Sequence, residues 1–217
     1  MKKSNTLKEK RHILITSLGF LTLISSCTSL CEVSKVTYKE DGKEITFAES
    51  KMPCKKVDDF KIAINLTIKS VYSEKFETLL TNYIKDSLGT GEHNKAWEGV
   101  FAKDVVQKMR ENINGTSADT YGGIKGLWLY LIYGNIAYDG TEHGPILFNR
   151  VPLKNRTPPS ISNTIAHEIA HRIGLKHPHS NSKLKIAYRE PPYVIGNIIE
   201  QIAKEILKEN NQLNINN

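Results

Sequence analysis

Three histidines, one glutamate and one glycine share the eleven residues "HEIAHRIGLKH", 167 to 177. Side chains of these types can hold a metal ion and move a proton if the backbone brings them to one side. An α-helix advances by about 100° per residue, so His171 stands about 40° round from His167 and one turn along. The two rings are then close enough to share one ion. Glu168 lies about 100° round, where its carboxylate reaches a water on that ion more easily than the ion itself. Gly174 can take the left-handed conformation that ends a helix, and the reversed chain can carry His177 back toward the metal. Three protein ligands leave a fourth position for water, which is the pattern of a catalytic zinc rather than a closed structural one. Such an ion lowers the pKa of its water towards ~7, and Glu168 can take the proton during attack on a carbonyl.

An amphipathic helix that merely carries histidines is the competing explanation. Ile161, Ile165, Ile169 and Ile173 fall opposite the histidines, so one face packs and the other is left for chemistry. Chance delivers HExxH in a chain of this composition on the order of 1% of the time, and adding Gly and His at fixed positions takes this to roughly one in fifty thousand. His179 competes with His177 for third ligand, but only His177 has the spacing from Gly174. His93 and His143 sit in polar stretches where a solvated histidine is expected. Glu200 would be the third ligand of a protease with a glutamate ligand, but Lys204 stands where a matching acid would be needed.

The eleven residues resemble the zinc-binding consensus of the metzincin metalloproteases, HExxHxxGxxH, at all five specified positions. That resemblance implies His167, His171 and His177 as ligands of one Zn2+ and Glu168 as general base. It also implies a metzincin-like zincin domain with a cleft above the zinc helix and an edge strand beside a protein or peptide substrate. One feature departs from the family. Metzincins carry a methionine in a turn beneath the metal, downstream of the third ligand, whereas Met1, Met52 and Met109 all lie upstream. In "REPPYVIGNIIEQI", Pro191, Pro192 and Gly196 can make the turn, and Val194 and Ile195 can supply an apolar floor. Tyr193 either packs there or stands near the metal and polarises the substrate carbonyl, as a tyrosine does in some metzincins.

Positioning this stretch requires a folded domain, and 217 residues suffice for one with a real core. The first 26 residues are expected to be a targeting leader. Lys2, Lys3, Lys8, Lys10 and Arg11 precede the apolar run Ile13 to Ile24, which is shorter than the ~20 residues a spanning helix needs. "ISSC" then resembles the lipobox of bacterial lipoproteins, which implies lipidation of Cys27 as the first mature residue. The expected location is the cell envelope, anchored to a membrane through that lipid, with plain secretion as the alternative. The leader holds five basic residues and one acidic one, so its loss takes the formal charge from +7 to +3. A charge that small is weak grounds for a nucleic-acid partner, and that class is set aside. The mature chain is expected to be a monomer.

Residues 27–58 are read as an N-terminal segment with a β-hairpin around Asp41-Gly42. Cys31 and Cys54 form a disulfide in an oxidising compartment, unless Cys54 is a latency switch on the metal. Residues 59–210 form the zinc domain and 211–217 a frayed polar tail. The class is α+β, a small mixed sheet with packed helices, an active-site helix and a closing C-terminal helix. "KIAINLTI" (61–68) alternates like a half-buried strand, and Ser73 caps a helix over 74–89. A second helix is expected from about Lys95 to Asn112, followed by a loop over 114–126. "LWLYLIY" (127–133) reads as a central strand and "PILFNRVP" (145–152) as a proline-bounded edge strand. The site helix should run from near Ser160 to Gly174, and the last helix from about Val194 to Lys208. The rival functions are a non-catalytic surface lipoprotein with structural zinc, and a hydrolase of cell-wall peptide or amide bonds.

Overall fold

The computed structural model describes residues 29–33, 35–40, 43–48, 50–88, 94–134, 136–139, 144–177 and 189–215. The leader, Cys27, the Asp41-Gly42 turn, Gly89, Gly91, His93, His143 and His179 lie outside them. The chain opens with strands β1 (Leu30–Val33), β2 (Val36–Glu40), β3 (Lys43–Phe47) and β4 (Ser50–Pro53). After a 3₁₀ turn at Cys54–Lys56 come helices α1 (Val57–Tyr72), α2 (Glu74–Ser87), α3 (Asn94–Trp97) and α4 (Ala102–Ile113). Next are β5 (Ala118–Tyr121), α5 (Gly123–Tyr133), β6 (Ala137–Asp139) and β7 (Ile146–Asn149). Helices α6 (Arg150–Leu153), α7 (Pro158–Arg172) and α8 (Pro191–Ile215) close the fold. The class is α+β.

The expected hairpin is present, with β2 and β3 antiparallel and Val36 opposite Phe47. Outside it, β1 pairs antiparallel with β4, and a disulfide joins Cys31 to Cys54 with their Cα atoms 4.8 Å apart. Cys54 is therefore a structural cysteine and not a latency switch. The third sheet is mixed: β7 lies in the middle, parallel to β5 and antiparallel to β6. The expectation of an edge strand at 145–152 is corrected. Pro145 and Pro152 fall outside the four paired residues Ile146–Asn149, so neither removes a ladder donor.

Three other readings are overturned. "KIAINLTI" is helical, part of α1, because over the longer window Phe60, Ala63, Ile64, Thr67, Ile68 and Val71 bury one stripe at helical spacing. Ile62, which the strand reading placed inside, is 41% exposed. "LWLYLIY" belongs to α5, stopped by Gly134 in the left-handed conformation, whose N–H reaches the carbonyls of Leu129 and Tyr130. A short run apolar on all sides carries no period that separates a buried strand from a helix. Nor is it covered on both faces: Trp128 is 60% and Leu131 67% exposed. The expected loop over 114–126 holds β5 and the start of α5.

Smaller adjustments concern helix ends. Ser73 caps α2 as expected, its Oγ accepting from the Phe76 N–H. The pattern from Lys95 to Asn112 is broken into α3 and α4 at Gly99, which has φ +72°. Helix α7 starts two residues early, since proline at its first position needs no hydrogen-bond partner for a missing N–H. Helix α8 runs from Pro191 to Ile215. Its start replaces the expected proline turn, and its end takes in most of the expected frayed tail.

Helix α7 is the central support, packed between α1 and α8. Ile161, Ile165 and Ile169 are fully buried as their spacing implies, while Ile173 is only partly so. Ser162 donates to the Ala63 carbonyl at 2.9 Å and ties α7 to α1. Against α8 the approach is close at Gly196, where a Cβ would stand 2.6 Å from Asn163 Oδ1 and 2.9 Å from its carbonyl oxygen. Gly196 thus serves helix packing rather than a turn. Phe60 meets Phe148 edge-on at 5.3 Å and joins α1 to the mixed sheet.

Candidate metal centre

The last two turns of α7 carry His167, Glu168 and His171. Past the helix, Gly174 has φ +93°, and the Leu175 N–H bonds back to the Ala170 carbonyl at 3.1 Å. That closure satisfies a terminal carbonyl and turns the chain over, and two residues later His177 returns to the site. The coordinating atoms of His167, His171 and His177 lie within 4.8 Å of one another. His167 Nε2 and His177 Nε2 are 3.3 Å apart. Two nitrogens at ~2.05 Å from a tetrahedral ion would stand about 3.3 Å apart, so this pair already has the required separation.

Each ring is held by a partner on its outer side. His171 Nδ1 donates to the Leu175 carbonyl at 2.9 Å, which leaves the Nε2 lone pair for an ion. His177 Nδ1 is 2.7 Å from the Glu190 carboxylate. His167 is hydrogen-bonded to the backbone of Pro192, whose only backbone group able to take part is its carbonyl. Burial, and then the neighbouring His171 and His177, lower the pKa of His167 from 6.5 to about 3, so the ring is neutral at pH 7. A ligand histidine has to be neutral. The three histidines form a candidate metal centre.

No family model matches the chain, and no curated protein or solved structure matches it.

A cleft of about 480 Å³ opens over the histidines. Glu168, only 6% exposed, lines it beside them, and so does Tyr193 in the first turn of α8. The Tyr193 ring centroid lies 4.6 Å from that of His167 and 4.8 Å from that of His177. Ile136, Ala137 and Tyr138 of the β6 segment form one wall, and β6 is an edge of its sheet. Asn163 and Thr164 of α7 continue the lining toward Arg156, and Tyr133 of α5 contributes to the rim.

Of the residues expected at the site, His167, Glu168, His171, His177 and Tyr193 line this cleft, while Cys31 and Cys54 are joined to each other in the disulfide. Glu200 is elsewhere, bonded to Asn163 at 2.8 Å and paired with Lys204 at 2.8 Å. Met52 and Met109 are buried core residues and play no part beneath the histidines. Sequence reasoning missed Glu190, which is 2% exposed and orients His177. Its one signal was an acidic residue directly before Pro191-Pro192.

Proposed function

We propose that this protein is a zinc-dependent endopeptidase of metzincin type, with His167, His171 and His177 as ligands. The observation that carries the proposal is the placing of a buried carboxylate, Glu168, in the same cleft as three pre-oriented imidazoles. A structural zinc site needs a closed fourth ligand and no such carboxylate. A donor set of three imidazoles suits zinc, and a bound zinc would supply Lewis acidity that acidifies water and polarises a peptide carbonyl. Glu168 then acts as general base, taking the proton of the attacking water and returning it to the departing amide nitrogen. Tyr193, whose ring lines the cleft beside His167 and His177, would donate its hydroxyl hydrogen bond to the developing oxyanion. An extended substrate can run beside β6, which pairs only with β7 among the described residues. On the lipobox resemblance, Cys27 carries the lipid that anchors the enzyme to an envelope membrane.

The decisive experiment combines metal analysis of the mature protein with hydrolysis of an unfolded protein and of cell-wall peptides. One zinc per chain and chelator-sensitive cleavage are expected. Glu168→Gln keeps the size of the side chain but cannot accept the proton, so turnover should fall by ~10²–10⁴-fold while zinc stays at one equivalent. Wild-type turnover in that variant removes Glu168 from the role of base. Stoichiometric zinc with no hydrolysis of either substrate class assigns the protein instead as a non-catalytic binder.

A further inference from the structure

The cleft does not end at the histidines. At the far end of its α7 wall stands Arg156, just ahead of that helix, with its Nη2 donating to the Ser160 carbonyl at 2.8 Å. Its Nε is shut off from solvent without a hydrogen-bond partner, so a substrate contact falls to the terminal nitrogens of the guanidinium. The charges around it are already assigned. Asp59 is held by Lys56 at 2.7 Å, and Glu200 by Lys204 at 2.8 Å. Lys56 also donates to the Arg156 backbone carbonyl at 3.0 Å. Glu200 is near enough to act on Arg156 through space, yet among the described residues no carboxylate lies within 4 Å of its guanidinium. Of Lys56, Lys204 and Arg156, only Arg156 has no carboxylate in direct contact, and it lines the cleft. Burial is the main influence on this arginine and disfavours its charge, with Glu200 and Tyr130 acting against that effect. A partly desolvated guanidinium in a substrate channel is strongly completed by a carboxylate, because its planar fork matches one in two-point contact.

We propose that Arg156 makes the cleft selective for a substrate carboxylate placed within two residues of the scissile bond. This rests on the endopeptidase reading of the same site. The distance suits the assignment. Ser160 and His167 are seven residues apart on one helix, or about 10 Å along its axis. Successive substrate Cα atoms are ~3.8 Å apart, so an acidic side chain one or two residues from the bond spans that gap. The carboxylate can belong to a Glu or Asp side chain or to the substrate's own C terminus.

The test uses zinc-loaded protein and a set of peptides alike except for Glu, Gln or Lys at each of the two positions on either side of the cleaved bond. Two further peptides end two residues beyond that bond, one with a free carboxylate and one amidated. Wild type should cleave the best Glu peptide with kcat/KM at least ~10-fold above its Gln and Lys counterparts. A gain confined to the free C terminus assigns the same site to a terminal carboxylate. Arg156→Gln should erase the preference, Arg156→Lys retain part of it, and Arg156→Glu shift it toward Lys peptides. A Glu preference that survives Arg156→Gln in a folded variant overturns the proposal, as does wild-type cleavage indifferent to charge. Both of those outcomes leave the endopeptidase reading standing. If wild type cleaves no peptide, that reading fails, and equilibrium binding of fluorescent versions of the peptides decides the rest. Tighter binding of Glu over Lys peptides, lost in Arg156→Gln, supports carboxylate recognition, and equal binding refutes it.

Discussion

Glu190 holds His177 at 2.7 Å, and on the scale of single residues this contact orients the proposed third ligand. The imidazole returns to the site on a short segment past the helix end, with no helical backbone beneath it to fix its rotamer. A carboxylate on Nδ1 sets both the ring plane and the tautomer, and makes Nε2 a better donor. Glu190→Ala should therefore lower zinc affinity by about 10–100-fold, with Glu190→Gln intermediate because the amide oxygen still accepts the ring proton. Competition against a chelator of known affinity measures both, and unchanged affinity in the alanine variant would mean that the ring is oriented by something else. His167, Glu168, His171 and His177 were legible in the sequence because helix geometry and one glycine turn relate them locally. Glu190 was not, since a contact across thirteen residues depends on where α8 begins.

Among the elements, the end of α7 is where local backbone chemistry controls the site. Gly174 has φ +93° and open space around the position of a Cβ, so a side chain there meets no neighbour and is penalised only through the backbone. Gly174→Ala should cost about 1–2 kcal/mol, a fall in Tm of about 2–8 °C, and should also weaken zinc binding by misdirecting His177. Gly99→Ala is the matched control: φ is +72°, nothing stands within 4 Å, and the residue does not line the cleft. It should lose comparable stability with zinc affinity intact, and equal losses of affinity in both variants would show that Gly174 has no special part in placing His177. The helices that carry the site, α7 and α8, were readable from sequence because isoleucines recur every three or four residues over a long window. Elements α1 and α5 were misread for opposite reasons. In α1 a helical stripe contains a stretch that also alternates, and eight residues were too few to separate the two periods. In α5 apolar residues surround the axis, and the outward set of Ile124, Trp128 and Leu131 breaks the rule that such residues lie inside. Strand β6 is only three residues long, below the length at which alternation can be recognised.

At the scale of the whole molecule, one buried cluster runs from Val33 to Ile202, so the N-terminal strands share a core with the helices that hold the site. The disulfide and the bond from the Cys54 N–H to the Ser29 carbonyl, 3.0 Å, pin the chain where its described part begins. Cys27 is only two residues earlier, and two residues span at most about 7 Å. If Cys27 is acylated as its lipobox resemblance implies, the domain is held against the bilayer and not on a long tether. Among the described residues no helix is long and apolar enough to cross a membrane. A single acyl chain binds a bilayer only marginally, and stable retention needs more than one. Cys27→Ala should accordingly move the protein from the detergent phase to the aqueous phase in a phase-separation assay. If removal of the leader itself depends on lipidation, a heavier uncleaved precursor should accumulate in its place. Either result fits an acylated Cys27, whereas a wild-type mature N terminus that begins beyond Cys27 excludes the anchor and makes the protein a secreted one.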